Sequence, residues 1–168
     1  MNLIEKIKQG KIFIYPTDTI YGLGCNALNE KSVEKIKSIK KRENKPLSVV
    51  APSIEWIKKH CIIDVNLGKY LPGPYTLILK KKNKNFLKHV SDTDSLGVRI
   101  PDCDFTGFIQ KAGVPFITTS VNLSGEPPIT KISDVPDGIK EKVDVIIDLG
   151  PLTGRPSTLI VDGKEIRR

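Results

Sequence analysis

Short β-prone runs alternate with amphipathic helical stretches along most of this chain, and that alternation limits the fold more than any other feature. Residues 11–15, 46–51, 76–79, 96–100, 115–119, 143–147 and 157–161 read as strands, rich in Ile, Val, Leu and Phe. Residues 2–9, 29–39, 53–60, 104–112 and a stretch near 133–142 place apolar side chains at helical spacing. Asn29, Ser53 and Asp104 stand where N-caps are expected, and Gly10 and Gly113 where helices close. Helices between strands predict an α/β fold around a largely buried mixed sheet. A length of 168 residues suits one domain, expected to span residues 1–168.

Several classes of function are set aside early. No stretch approaches 18 consecutive apolar residues, so no membrane span or membrane partner is expected. The first six residues mix acidic and basic side chains where a signal peptide would be apolar, and a cytoplasmic location is the expectation. Cys25, Cys61 and Cys103 have neither disulfide-framework nor zinc spacing, and His60 and His89 lie far apart. A Ser/His/Asp or Cys/His mechanism and a structural metal are therefore not expected.

The chain carries 22 Lys and 5 Arg against 19 acids, a net charge of +8 that favours anionic partners. Most of this excess is lysine, whose compact ammonium is often simply solvated. The run Lys80, Lys81, Lys82, Lys84 and Lys88 reads as such a face, with Lys81 expected at the surface.

Four segments between the elements are dense in Gly, Pro, Ser and Thr: 16–24 (PTDTIYGLG), 40–47 (KKRENKPL), 118–125 (TTSVNLSG) and 154–158 (GRPST). Turn chemistry alone could account for each, but loops held by a rigid sheet are also where ligand groups concentrate. Gly22-x-Gly24-x-x-Ala27 fits the dinucleotide fingerprint on paper and fails in context, since no acid follows about 20 residues on. A phosphate loop of the G-x-x-x-x-G-K-[ST] type is missing too. Phosphates would then have to be held by side-chain cations. Lys40-x-Arg42 could do so if extended beyond Ile39, with both side chains pointing one way; the alternative is a solvated helix end. Ser120-x-Asn122 adds two uncharged donors at the same spacing.

Taken in order, PTDTIYGLG, K-x-R followed by KPL, PGPYTLIL at 72–79, GVRIP at 97–101, TSVNLSG at 119–125 and PSTLIVD at 156–162 resemble the YrdC family. These are threonylcarbamoyl-adenylate synthases, and the resemblance runs from about Ile12 to Asp162. It implies an open, twisted α/β sheet flanked by helices, with a basic concave face. It implies a reaction of L-threonine, bicarbonate or carbon dioxide, and ATP, assisted by Mg2+, as the first step of threonylcarbamoyladenosine modification of tRNA. A downstream threonylcarbamoyl transferase would be a partner, and tRNA a further one. On this resemblance threonine is bound by Thr19, Tyr21, Arg99, Thr118 and Ser157. ATP is bound by Lys40, Arg42, Lys45, Ser95, Ser120, Asn122 and Arg168, with Lys40 and Arg42 in the catalytic role. The spacing from Arg42 to Pro46 is one residue shorter than in many relatives, and Val50 stands where some have His. The competing reading is a non-catalytic RNA-binding module of the same fold, which explains the charge but not the uncharged Ser/Thr/Gly loops.

Overall fold

The computed structural model describes residues 1–41, 45–123 and 125–168. Its helices start where short polar side chains cap them. In α1 (Leu3–Lys8) Asn2 and Glu5 form a reciprocal capping box. Asn29 Oδ1 accepts from Ser32 N ahead of α2 (Glu30–Lys40), and Ser53 does the same for Trp56 N ahead of α3 (Ile54–His60). Each such cap contributes about 1 kcal/mol. Asp104, expected as a cap, is instead the first residue of α5 (Asp104–Ala112), after a one-turn α4 (Leu67–Tyr70). Cys103 occupies the cap position without a side-chain bond, so Asp104 acts through its charge on the helix N-terminus. The stretch expected as a helix near 133–142 is a 3-10 turn, Ile132–Asp134, followed by the one-turn α6 (Asp137–Lys140).

Among the described residues nine strands join in one mixed sheet. They are β1 (Phe13–Tyr15), β2 (Gly22–Gly24), β3 (Ser48–Val50), β4 (Tyr75–Lys80), β5 (Ser95–Arg99), β6 (Phe116–Ser120), β7 (Val145–Ile146), β8 (Thr158–Val161) and β9 (Lys164–Ile166). Their order is β7-β1-β2-β6-β3-β5-β4-β8-β9. Pairs β1/β7, β3/β5 and β4/β8 are parallel and the rest antiparallel. Two strands escape the sequence reading. Strand β2 lies in the segment read as a loop, because its glycines carry no β propensity; it is nonetheless central. A Cβ on Gly22 would stand 2.8 Å from the Tyr15 ring, and one on Gly24 would strike the Ile117 carbonyl. Strand β9 returns from β8 through Asp162 and Gly163, an Asp-Gly hairpin signal that went unread.

The two-residue strand period divides the core. Ile14, Val49, Val98 and Ile117 join the large cluster on one face, with Val33 and Ile36 from α2. On the other face Phe13, Tyr15, Val50 and Phe116 pack beneath α1 and α5 through Ile7, Phe105 and Ile109. By the same period Ser48, Thr118, Ser120 and, through register, Gly97 and Arg99 also belong to this second face. Helices α1 and α5 cover its aromatic half. Past Val50 and Phe116 the residues become small and polar, and the site lies there.

Candidate active site

A cavity of about 140 Å³ opens over that polar half. Thr17, Thr19 and Tyr21 reach it from the β1–β2 connection and Pro46, Leu47 and Ser48 from the entry to β3. Thr76 comes from β4, Arg99 from β5, and Thr118 and Ser120 from β6, while Pro156, Ser157 and Arg168 close the far side. Gly97 makes room: a Cβ there would strike Ser48 Oγ.

Arg99 is the buried charge of this cavity, 5% exposed. Its Nη2 donates to Asp18 Oδ1 at 2.5 Å, and Asp18 Oδ2 accepts from Asp102 N at 2.9 Å. One carboxylate thus ties the β1–β2 connection to the end of β5 and neutralises the guanidinium, as a buried cation requires. Nη1 donates to Thr19 Oγ1 at 3.4 Å. The Nε proton is buried and has no partner among the described residues. A buried donor left unmade costs about 1–3 kcal/mol, which an incoming acceptor would recover.

The hydroxyls around Arg99 have assignable protons. Thr17 Oγ1 donates its one proton to Ile20 O at 2.6 Å, so Thr19 is the donor in the 2.9 Å pair between the two threonines. Ser157 Oγ lies 2.6 Å from Thr76 Oγ1 and accepts from Arg168 Nη2, while Arg168 Nε donates to the Ser157 carbonyl. Tyr21 lines the cavity with its ring. Its hydroxyl donates to Gly150 O at 2.6 Å and accepts from Leu149 N, and burial pushes its pKa up. That hydroxyl holds the 148–150 loop rather than pointing to a ligand.

Lys40 departs from both readings made of it. It is the last residue of α2, followed by Lys41 at φ 54°, so the helix runs one residue past Ile39, where the sequence pattern stopped. It is not a solvated helix end, being 1% exposed. Its Nζ donates to the Ser120 carbonyl and to Asn122 Oδ1, each at 2.6 Å. The structure therefore brings Lys40, Ser120 and Asn122 together behind the β6 wall. Arg42 lies outside the described residues. Lys45 is exposed and faces a neighbouring groove with Lys37 and Lys88. Ser95 shares the cavity's face of β5 but starts that strand, four residues from Arg99, and its hydroxyl bonds Asp94.

Thr17, Ser48 and Thr76 line the cavity and Asp18 braces Arg99 beside it; none of the four was named as a ligand residue from the sequence. Three of them lie inside quoted motifs, PTDT and PYTL, and Ser48 follows KPL directly. Lys81 is a second correction. Expected at the surface, it is 4% exposed and donates to the carbonyls of Lys84, Phe86 and Ser91 at 2.9–3.0 Å. Among the described residues no group of three or more His, Cys, Asp or Glu could hold a metal ion, and no helix is long and apolar enough to cross a membrane.

A mixed α/β sheet with a buried, half-paired arginine in a hydroxyl-lined cavity defines a binder of small anionic molecules. The profile of the Sua5/YciO/YrdC family, described as telomere recombination, matches residues 5–168, and the chain belongs to that family. A Methanocaldococcus jannaschii protein provisionally named threonylcarbamoyl-AMP synthase is 41% identical over 165 residues, 94% of this chain and 77% of the relative. A Blochmanniella pennsylvanica protein named threonylcarbamoyl-AMP synthase is 28% identical, covering 99% of this chain and 91% of its own. The crystal structure of Pyrococcus abyssi Sua5 complexed with L-threonine is similar with a TM-score of 0.81 and 30% identity, over 94% of this chain. This chain spans 48% of that larger one.

Proposed function

We propose that this chain condenses L-threonine, bicarbonate or carbon dioxide, and ATP into threonylcarbamoyl-adenylate and pyrophosphate. The observation that carries the reading is Arg99: a buried guanidinium with an unpaired Nε, facing donors and acceptors in a cavity of about 140 Å³. That volume is well below the roughly 300–1,000 Å³ of sites for drug-sized ligands, so it suits a small amino acid while a nucleotide would lie across its mouth. The relatives' name, threonylcarbamoyl-AMP synthase, supports threonine and an adenylate as the chemistry involved.

Arg99 takes the threonine carboxylate with a guanidinium that Asp18 and Thr19 satisfy only in part. Thr19, already donating to Thr17 and accepting from Arg99, holds the other end of the amino acid with Thr118 and Ser157. The threonine amine attacks carbon dioxide and loses a proton, giving a carbamate. A carbamate oxygen then bonds the α-phosphorus of ATP as the bond to the β-phosphate oxygen breaks, and pyrophosphate leaves with the electron pair. No nucleophilic side chain is needed; the protein orients the reactants and stabilises phosphate charge. Lys40 supplies a fixed cation beside Ser120 and Asn122 at that wall, and Arg168 one on the Ser157 side. Among the described residues, those lining the cavity offer hydroxyls and cations but no Asp or Glu. Mg2+ therefore enters with ATP, held by phosphate oxygens as part of the substrate. The product is an activated carbamoyl anhydride that a transferase would pass to tRNA for threonylcarbamoyladenosine modification.

Pyrophosphate release measured with each reactant omitted tests the reading. Release should require threonine and bicarbonate together, and serine should substitute poorly. Equal release without threonine would sink it.

A further inference from the structure

We propose that Thr17 is a positioning residue: it directs the Thr19 hydroxyl so that Thr19 reads a proton donor on the substrate, the side-chain hydroxyl of threonine. This rests on the synthase reading and deepens it. A hydroxyl offers one proton and two lone pairs. Thr17 Oγ1 uses all three within the chain. Its proton goes to Ile20 O at 2.6 Å, and its lone pairs take the Thr19 N–H at 3.1 Å and the Thr19 hydroxyl proton at 2.9 Å. Thr17 lines the cavity yet has nothing left for a ligand. Thr19 Oγ1 has given its proton to Thr17 and accepts from Arg99 Nη1 at 3.4 Å, which leaves it one lone pair. Towards the cavity Thr19 is therefore an acceptor only.

The Thr19 backbone is held as firmly. Gly154 lies against it, where a Cβ would stand 2.2 Å from the Thr19 carbonyl oxygen and 2.6 Å from its Cα. With Gly154 behind its backbone and Thr17 on its proton, Thr19 keeps one orientation. Thr17 and Thr19 are 7% and 5% exposed, on the inner wall beside Arg99. Once the carboxylate has met Arg99, the amino acid has two donors left, its amine and its hydroxyl. Their places differ. The amine nitrogen has to meet carbon dioxide, and its carbamate the α-phosphate, so it faces the mouth where the nucleotide lies. The hydroxyl is left to the inner wall and gives its proton to Thr19. An isostere without that proton leaves a buried acceptor unmet, and walls built to bond a hydroxyl reject such isosteres more strongly than apolar pockets reject a change of size.

Calorimetric titration into the full chain, without ATP, tests this with three ligands of nearly one shape: L-threonine, L-valine and 2-amino-3-fluorobutanoic acid in the configuration of threonine. The fluorine lacks the proton, so this ligand should bind like valine, both about 10-fold or more weakly than threonine. A fluoro analogue that binds like threonine would overturn the inference on wild type alone, whatever the variants do. Thr17→Val keeps the shape and loses the acceptor. It should weaken threonine about 10-fold and valine less than about 2-fold, while Thr17→Ser should bind threonine nearly as wild type. With Thr19→Val already in place, Thr17→Val should weaken threonine no further. Equal weakening toward threonine and valine, or a full further loss in the Thr19→Val background, would reduce Thr17 to a structural role and overturn its part in recognition. Wild type that binds no threonine would sink the synthase reading along with this inference; threonine binding with a fluoro analogue of equal affinity would sink this inference only.

Discussion

Lys40 and Lys81 both bury an ammonium group among oxygen acceptors, and their cages differ in what stands behind them. The Lys81 acceptors are three backbone carbonyls from the connection between β4 and β5, so its charge folds that connection back on itself. Lys40 holds the carbonyl of Ser120, a residue of the cavity wall, and the amide oxygen of Asn122. The same chemistry thus serves a loop in one region and a candidate phosphate wall in the other. Burial alone does not mark a functional lysine; what its acceptors line does.

Replacing each lysine by Met should separate the two regions. Lys40→Met removes a fixed cation from the proposed phosphate wall and should lower the rate about 10²- to 10³-fold, near 3 kcal/mol at the transition state. Turnover per folded molecule, with circular dichroism to count the folded fraction, is the readout. A rate within a few-fold of wild type would reduce Lys40 to a second Lys81.

Asp18→Ala should have the next largest effect, on stability, because it leaves Arg99 without its carboxylate. Breaking such a buried pair costs about 3 kcal/mol or more. Added threonine should then raise the melting temperature of Asp18→Ala by more than it raises that of wild type, its carboxylate replacing the lost one. Equal threonine shifts would mean that Arg99 does not meet the ligand carboxylate.

Lys81→Met should cost about 1–3 kcal/mol, since it orphans buried carbonyls, while leaving turnover per folded molecule nearly unchanged. Urea unfolding read beside the synthase assay checks both halves. A stability change below about 0.5 kcal/mol would restore the surface role first expected of Lys81.

These contrasts also show what the sequence could reveal. The helices α1, α2, α3 and α5 were legible because capping side chains and apolar spacing act locally, and so were the strands rich in Ile and Val. Strand β2 was hidden because its glycines are chosen by the Tyr15 ring and the Ile117 carbonyl, contacts that arise once β1 and β6 are in place. Arg99 could be singled out because it falls in the GVRIP motif at 97–101. That Asp18 would leave Nε unpaired depends on side-chain geometry that no spacing rule encodes. Lys81 looked solvated because a lysine run reads alike whether its ammonium groups meet water or carbonyls.

The smallest expected effect lies at the Lys81 end of the molecule, where His60 stacks on Phe86 with ring centroids 4.1 Å apart. Burial, then the nearby Lys59 and Lys82 charges, lowers the His60 pKa below 6.5. The unfolded chain therefore takes up this proton first as pH falls, so stability should decline from about pH 6.5 downward through the folded value and be fully present above it. Trp56 fluorescence during urea unfolding should show that slope in wild type and lose it in His60→Phe. An unchanged slope would place the acid sensitivity elsewhere.

The central claim, that Arg99 reads the carboxylate of threonine in the small cavity, is tested most directly by titrating L-threonine into wild type and Arg99→Lys in a calorimeter, without ATP. Lysine keeps the charge beside Asp18 and loses the planar fork. The account predicts threonine binding weakened about 10-fold or more, roughly 1.4 kcal/mol, with ATP affinity measured alone nearly unchanged. Threonine binding equal in the two proteins, or equal losses toward threonine and ATP, would contradict it.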